Sequence, residues 1–104
     1  FLGLQFGSSQ LLAQSKRTQA ADSDFENMRY SMAIPKYKKA YSKTKGNKNE
    51  KNRISFQLGE CYRLTNQPKR AAAFYKRLVR AKWDRTEPLA LLYLADAELA
   101  NGDY

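Results

Sequence analysis

Ala33-Ile34-Pro35-Lys36-Tyr37, with Ala40 after it, returns as Ala71-Ala72-Ala73-Phe74-Tyr75, and 38 residues separate Ala33 from Ala71. A small residue, a turn and then Ala-x-x-x-Tyr is therefore written at least twice. A third copy opens where Tyr93-Leu94-Ala95 leads to Asn101-Gly102-Asp103-Tyr104, as Cys61-Tyr62-Arg63-Leu64 leads to Thr65-Asn66-Gln67-Pro68. A fixed period of this length is the mark of a repeat architecture, in which each unit buries its apolar face only against its neighbours.

Working outward, the copies keep register. Ala21, Gly59 and Ala95 are equivalent, with 36 residues from Gly59 to Ala95. A small side chain is expected there because two helices cross closely. Met28, Asn66 and Gly102 fall in the next turn, and Tyr30, Pro68 and Tyr104 two residues later. Helical periodicity agrees: Ile54, Leu58, Cys61, Tyr62 and Leu64 approximate one apolar stripe, and Ala71, Phe74, Tyr75, Leu78 and Val79 another. No run alternates apolar and polar residues, so the expected fold class is all-α. Pro35 is expected near a helix start, Pro68 in a turn, and Pro88 at a helix opening after a Thr86 cap.

These landmarks resemble the tetratricopeptide family, whose repeat is about 34 residues, with a few residues added in the loops. Leu58-Gly59-x-x-Tyr62 and Ala71-x-x-x-Tyr75 match its small, aromatic and alanine positions. Leu78 stands where the family favours Ala, Trp83 where it favours Pro nearby, and Asp24 in an aromatic slot with Phe25 one residue later. The resemblance implies an α-α superhelix of helix-turn-helix repeats, with units at 15–45 and 51–83 and an incomplete one at 87–104.

Residues 1–14 (FLGLQFGSSQLLAQ) carry no charge and end in Leu12-Ala13-Gln14 before Lys16 and Arg17. This is the layout of a secretory signal-peptide remnant, and it falls short of the roughly 20 apolar residues of a membrane span. The alternative is an apolar helix packed on the first unit. No Cys stands near Ala13 or Gln14 to support a lipid anchor. A chain opening inside a signal and closing inside a repeat is expected to be a fragment of a larger protein, with Leu91, Leu92, Leu94 and Leu99 partly uncovered.

The net charge of +9 has two sources. Between Lys36 and Arg53 eight basic residues oppose Glu50, and between Lys69 and Arg85 seven oppose Asp84. The first block coincides with an expected loop from Tyr41 to Asn49, and the second with the outer side of a second helix. Such runs are solvated faces first and polyanion sites second. Chemistry finds little to hold. There is no His, the single Cys61 lies on the apolar stripe as a buried thiol, and no phosphate loop occurs. Asp22, Asp24 and Glu26 read as the polar face of a first helix. Tyr30, Tyr37, Tyr62 and Tyr75 read as core. The expectation is a non-enzyme without cofactor or metal.

Binding remains. By register, the first helices turn Asp22, Phe25 and Glu26, then Phe56, Glu60 and Arg63, then Leu92, Asp96 and Leu99 toward a concave groove suited to an extended peptide or partner helix. The same positions could be plain surface, or an interface with the rest of a longer chain. The order of signal, polar lead, Ala21-Asp22-x-x-Phe25-Glu26-Asn27-x-x-Tyr30-x-x-Ala33-Ile34-Pro35-x-Tyr37-x-x-Ala40 and Cys61-Tyr62-Arg63-Leu64-Thr65-Asn66 resembles the amino-terminal repeats of OmpA-family cell-envelope proteins of Bacteroidetes-type bacteria. That resemblance implies an exported scaffold in the periplasm or on the periplasmic face of the outer membrane. Some members of that family serve type IX secretion or gliding. Its partners would be proteins of an envelope assembly and carboxy-terminal domains of the same chain, with no transmembrane helix and nucleic acid disfavoured. A cytoplasmic adaptor and a basic polyanion-binding module are the alternatives.

Overall fold

The computed structural model describes residues 16–83 together with Tyr93 and Leu94, and two of its helices open on residues suited to that place. Asn47 caps one helix by accepting a hydrogen bond from the Glu50 backbone N–H at 3.0 Å, with the Glu50 carboxylate in the favourable first turn. Pro68 opens another as its first residue, where no N–H is required. After a short 3-10 turn at Lys16–Thr18, the helices are α1 (Gln19–Glu26), α2 (Tyr30–Lys43), α3 (Lys48–Leu64) and α4 (Pro68–Ala81). No strand occurs among the described residues. The all-α class is shown. The signal-like segment 1–14, the third unit beyond Tyr93 and Leu94, and the Thr86–Pro88 helix opening lie outside the described residues.

Each helix packs on the next, α1 on α2, α2 on α3 and α3 on α4. Short connections make successive neighbours antiparallel. The two turns within pairs repeat bond for bond. After α1, Met28 adopts φ 60° while the Met28 N–H bonds Phe25 O at 3.0 Å and the Arg29 N–H bonds Asp24 O at 2.7 Å. After α3, Asn66 adopts φ 59° while the Asn66 N–H bonds Arg63 O at 3.2 Å and the Gln67 N–H bonds Tyr62 O at 2.8 Å. Both are Schellman caps, the left-handed residue turning the chain so that two orphan carbonyls find donors. Every residue of one cap stands 38 positions from its counterpart. The period read in the sequence is thus a period in backbone geometry.

The core follows the same register. Ala33 and Ala71, Tyr37 and Tyr75, and Ala40 and Leu78 are buried in equivalent places, with Ala21, Ile54, Leu58, Cys61, Tyr62 and Trp83 completing one cluster. Gly59 marks the closest helix contact: a Cβ there would lie 2.6 Å from Tyr75 Cε1, and that ring is fully buried. The equivalent Ala21 is also buried, so the small-residue crossing is real in both pairs.

Several sequence expectations need correction. Leu64 is 43% exposed, because it lies roughly 100° around the helix from the centre of the stripe of Ile54, Leu58, Cys61 and Tyr62. Pro35 is the sixth residue of α2, well inside it, and leaves the Ser31 carbonyl without its helical donor. The expected loop from Tyr41 to Asn49 shrinks to residues 44–47, since α2 runs through Lys43 and α3 begins at Lys48. Gly46, at φ 76°, supplies the left-handed bend that so short a link needs.

Substituting Gly59→Ala should lower stability by about 1 kcal/mol, because overpacking against Tyr75 outweighs the gain in helix propensity. Urea unfolding followed by circular dichroism measures this, and an unchanged or raised midpoint would contradict the contact.

Candidate functional site

Two buried tyrosines touch residues that were expected to face a groove. Tyr37 on α2 donates its hydroxyl to Asp22 on α1, and Tyr75 on α4 donates to Glu60 on α3 at 2.9 Å. Donor and acceptor are 15 residues apart in both cases, and the two bonds are related by the 38-residue period. The carboxylate at this position is thus part of the packing between paired helices.

Each bond also receives the following unit. Arg53 of α3 reaches Asp22 at 3.5 Å and Thr18, while Gln57 donates to the Tyr37 hydroxyl at 3.2 Å. Thr18 itself donates to Asp22 at 2.9 Å. In the second pair, Arg63 holds Glu60 through two bonds of 3.1 and 3.0 Å, and its guanidinium lies 4.3 Å from the Tyr93 ring centroid. Tyr93 packs on Tyr75 at 5.6 Å and stacks on Phe56 at 6.3 Å, and the Trp83 ring lies tilted 6.3 Å from Phe56. Glu60, Arg63, Phe56, Tyr75, Trp83 and Tyr93 form one surface-reaching cluster.

Of the expected groove residues, the structure brings together Phe56, Glu60 and Arg63, and places Asp22 in the equivalent network one unit earlier. Phe25 lies apart, edge-on to Tyr30 at 5.2 Å, and Glu26 is exposed. Leu92, Asp96 and Leu99 lie outside the described residues. Tyr37, Tyr75, Arg53 and Thr18 escaped notice as site residues, although the equal spacing of Asp22 from Tyr37 and Glu60 from Tyr75 was available in the sequence.

Asp22, Asp24 and Glu26 do not form a common polar face. Asp24 is buried, receiving Arg29 at 3.0 Å and Lys36. Its counterpart is Tyr62, which stacks on Phe74 at 5.7 Å, and Phe74 is the counterpart of Lys36. One unit fills this slot with a stacked pair of rings and the other with an ion pair. That substitution of chemistry at constant geometry is why the first unit reads weakly as a repeat.

The electrostatics are those of a structural network. Burial and the bond to Asp22 push the Tyr37 phenol well above its ordinary range, and burial with the Glu60 charge does the same for Tyr75. Both remain protonated donors at neutral pH. Cys61 is fully buried and pushed up to about 12, chiefly by burial, so its thiolate is scarce. The hydrogen bonds from Lys36 and then Arg29 hold Asp24 below the usual carboxylate range. Among the described residues no group of His, Cys, Asp or Glu is placed to hold a metal ion, and no helix is long and apolar enough to cross a membrane.

Comparison with known proteins returns no match: no family model, no curated protein and no solved structure aligns with this chain.

Tyr75→Phe should cost about 1–2 kcal/mol, since it removes a donor from a half-buried carboxylate. In a double-mutant cycle with Glu60→Gln the losses should be strongly non-additive, whereas additive losses would mean that the bond contributes nothing. Because folding depresses the Asp24 pKa, its contribution is complete above the unfolded value of about 3.9 and is lost as pH falls through the folded value. Acid titration of stability should therefore show a fall below that pH that Asp24→Asn flattens; an identical acid limb in the variant would contradict the ion pair.

Proposed function

We propose that the chain is a tetratricopeptide-like repeat module that binds protein partners without catalysing a reaction, as an exported scaffold of a bacterial cell-envelope assembly. The observation that carries the binding role is the bond-for-bond recurrence of the Schellman turn and the tyrosine–carboxylate contact at a 38-residue period. Units that repeat in this way stack into a superhelix whose first helices line a continuous groove. The export and envelope parts of the proposal rest on the resemblance of the sequence over residues 20–104 and on the signal-like layout of residues 1–14.

The packing refines which residues would recognise a partner. Asp22 and Glu60 are engaged by Tyr37, Tyr75 and two arginines, so they shape the groove without being free to pair with a ligand. Recognition then falls to Phe25, Glu26, the open edge of Phe56 and the outer side of Arg63. A partner segment with apolar side chains and an occasional charge fits that set.

Affinity capture from envelope extracts, at low and high salt, tests the proposal. Wild-type chain should retain defined proteins at high salt, and a Phe25→Ser, Glu26→Lys variant with unchanged helix content should lose them by about tenfold. Retention of only nucleic acid or anionic polymer, released as salt rises, would overturn it.

A further inference from the structure

Among the described residues, the ion pairs and the cations held on aromatic rings lie in different places. Asp22, Asp24, Glu50 and Glu60 are all engaged, and the cations that pair with them are Arg29, Lys36, Arg53 and Arg63. Those pairs join α1 to α2 and to α3, or lie within α3. The seam between α2 and α4 has no carboxylate partner for its cations among the described residues.

The seam cations are not loosely displayed. Arg77 lies 5.2 Å from the Phe74 ring and 5.7 Å from that of Tyr41, and donates to the Tyr41 hydroxyl at 3.2 Å. Lys51 covers Tyr41 at 5.1 Å. At the other end Lys38 and Arg70 lie 5.7 and 6.0 Å from Tyr62, which stacks on Phe74. Arg70, Phe74 and Arg77 occupy one stripe of α4 at i, i+4 and i+7, and Lys38 with Tyr41 occupies one stripe of α2 at i and i+3. A line of rings thus carries four cations at fixed positions, three of them exposed. Cations already held on rings lose less side-chain freedom when an anion arrives.

We propose that the α2–α4 seam is a docking track for a short acidic segment of polypeptide in extended conformation. The stretch from Arg70 to Arg77 spans about 10 Å of helix, which matches about three residues of extended chain at roughly 3.3 Å each. Two or three Asp or Glu side chains in succession complement it. Nucleic acid is served less well, because the rings that would stack bases are already covered by cations. A lipid surface is served less well too, because Tyr62 is buried and Tyr41 and Phe74 half-buried beneath the charges, with no apolar side chain standing out from the seam. This track runs along the second helices, with Lys51 and Tyr62 of α3 between them, and does not use the residues expected to line the groove.

Fluorescence anisotropy with the full chain and fluorescein-labelled hexaglutamate tests the track. Hexaglutamine, an oligothymidylate of equal charge and vesicles of mixed phosphatidylglycerol and phosphatidylcholine serve as comparison ligands. Hexaglutamate should bind in preference to all three, and the pair Lys38→Gln, Arg77→Gln should weaken it by about tenfold. The pair Lys16→Gln, Lys45→Gln removes the same charge from exposed sites off the seam and should weaken it by less than about twofold. Equal weakening by the two pairs would reduce the effect to net charge and overturn the proposal. So would hexaglutamate binding no tighter than hexaglutamine, or tighter binding of the oligothymidylate or the vesicles. The single variant Lys38→Gln keeps the Arg77 contact to Tyr41, so the comparison survives if the seam pair loses helix content.

Discussion

A buried phenol donating to a carboxylate on the preceding helix is the contact on which the rest of this fold depends. Tyr37 and Tyr75 are each fully buried, so each hydroxyl needs an acceptor within the protein, and Asp22 and Glu60 supply it. The ring must come close to reach that acceptor, which requires a small residue beside it. At Gly59 the approach leaves no room for even a methyl group. The acceptor in turn draws a cation: Arg53 reaches Asp22 from the next helix pair, while Arg63 reaches Glu60 from the same helix and lies against the Tyr93 ring. Pairing of helices within a unit and stacking between units are therefore decided at one point.

Much of this was legible in the sequence, because it rests on residues whose types are restricted by geometry. Ala33, Ala71, Gly59 and the two tyrosines gave the period, and the period placed the turns. What escaped was chemistry that two units solve differently. The slot filled by Tyr62 against Phe74 in one pair holds Asp24 with Lys36 in the other, so a comparison of residue types sees a mismatch where the backbone sees identity. Left-handed turns at Met28 and Asn66 were equally hidden, since neither position carries the glycine that usually announces them. Asp22 and Glu60 were found as polar positions of first helices, but their role in packing needed the partner helix to be seen.

The division of charge has a related origin. Among the described residues, Asp22, Asp24, Glu50 and Glu60 stand where donors of the packed helices reach them, while Lys38, Arg70 and Arg77 of the second helices lie against aromatic rings. Stability and surface potential thus come from one allocation of charged residues.

The most direct test of the account is a proton NMR measurement of contacts made by the two buried tyrosine rings. The account predicts a strong nuclear Overhauser contact between the Tyr75 ring and the Gly59 Hα protons, with those protons shifted upfield by the ring current, and a matching contact between the Tyr37 ring and the Ala21 methyl group. Gly59 protons at random-coil positions, or contacts for one ring without its counterpart, would contradict a fold built on two equivalent helix pairs.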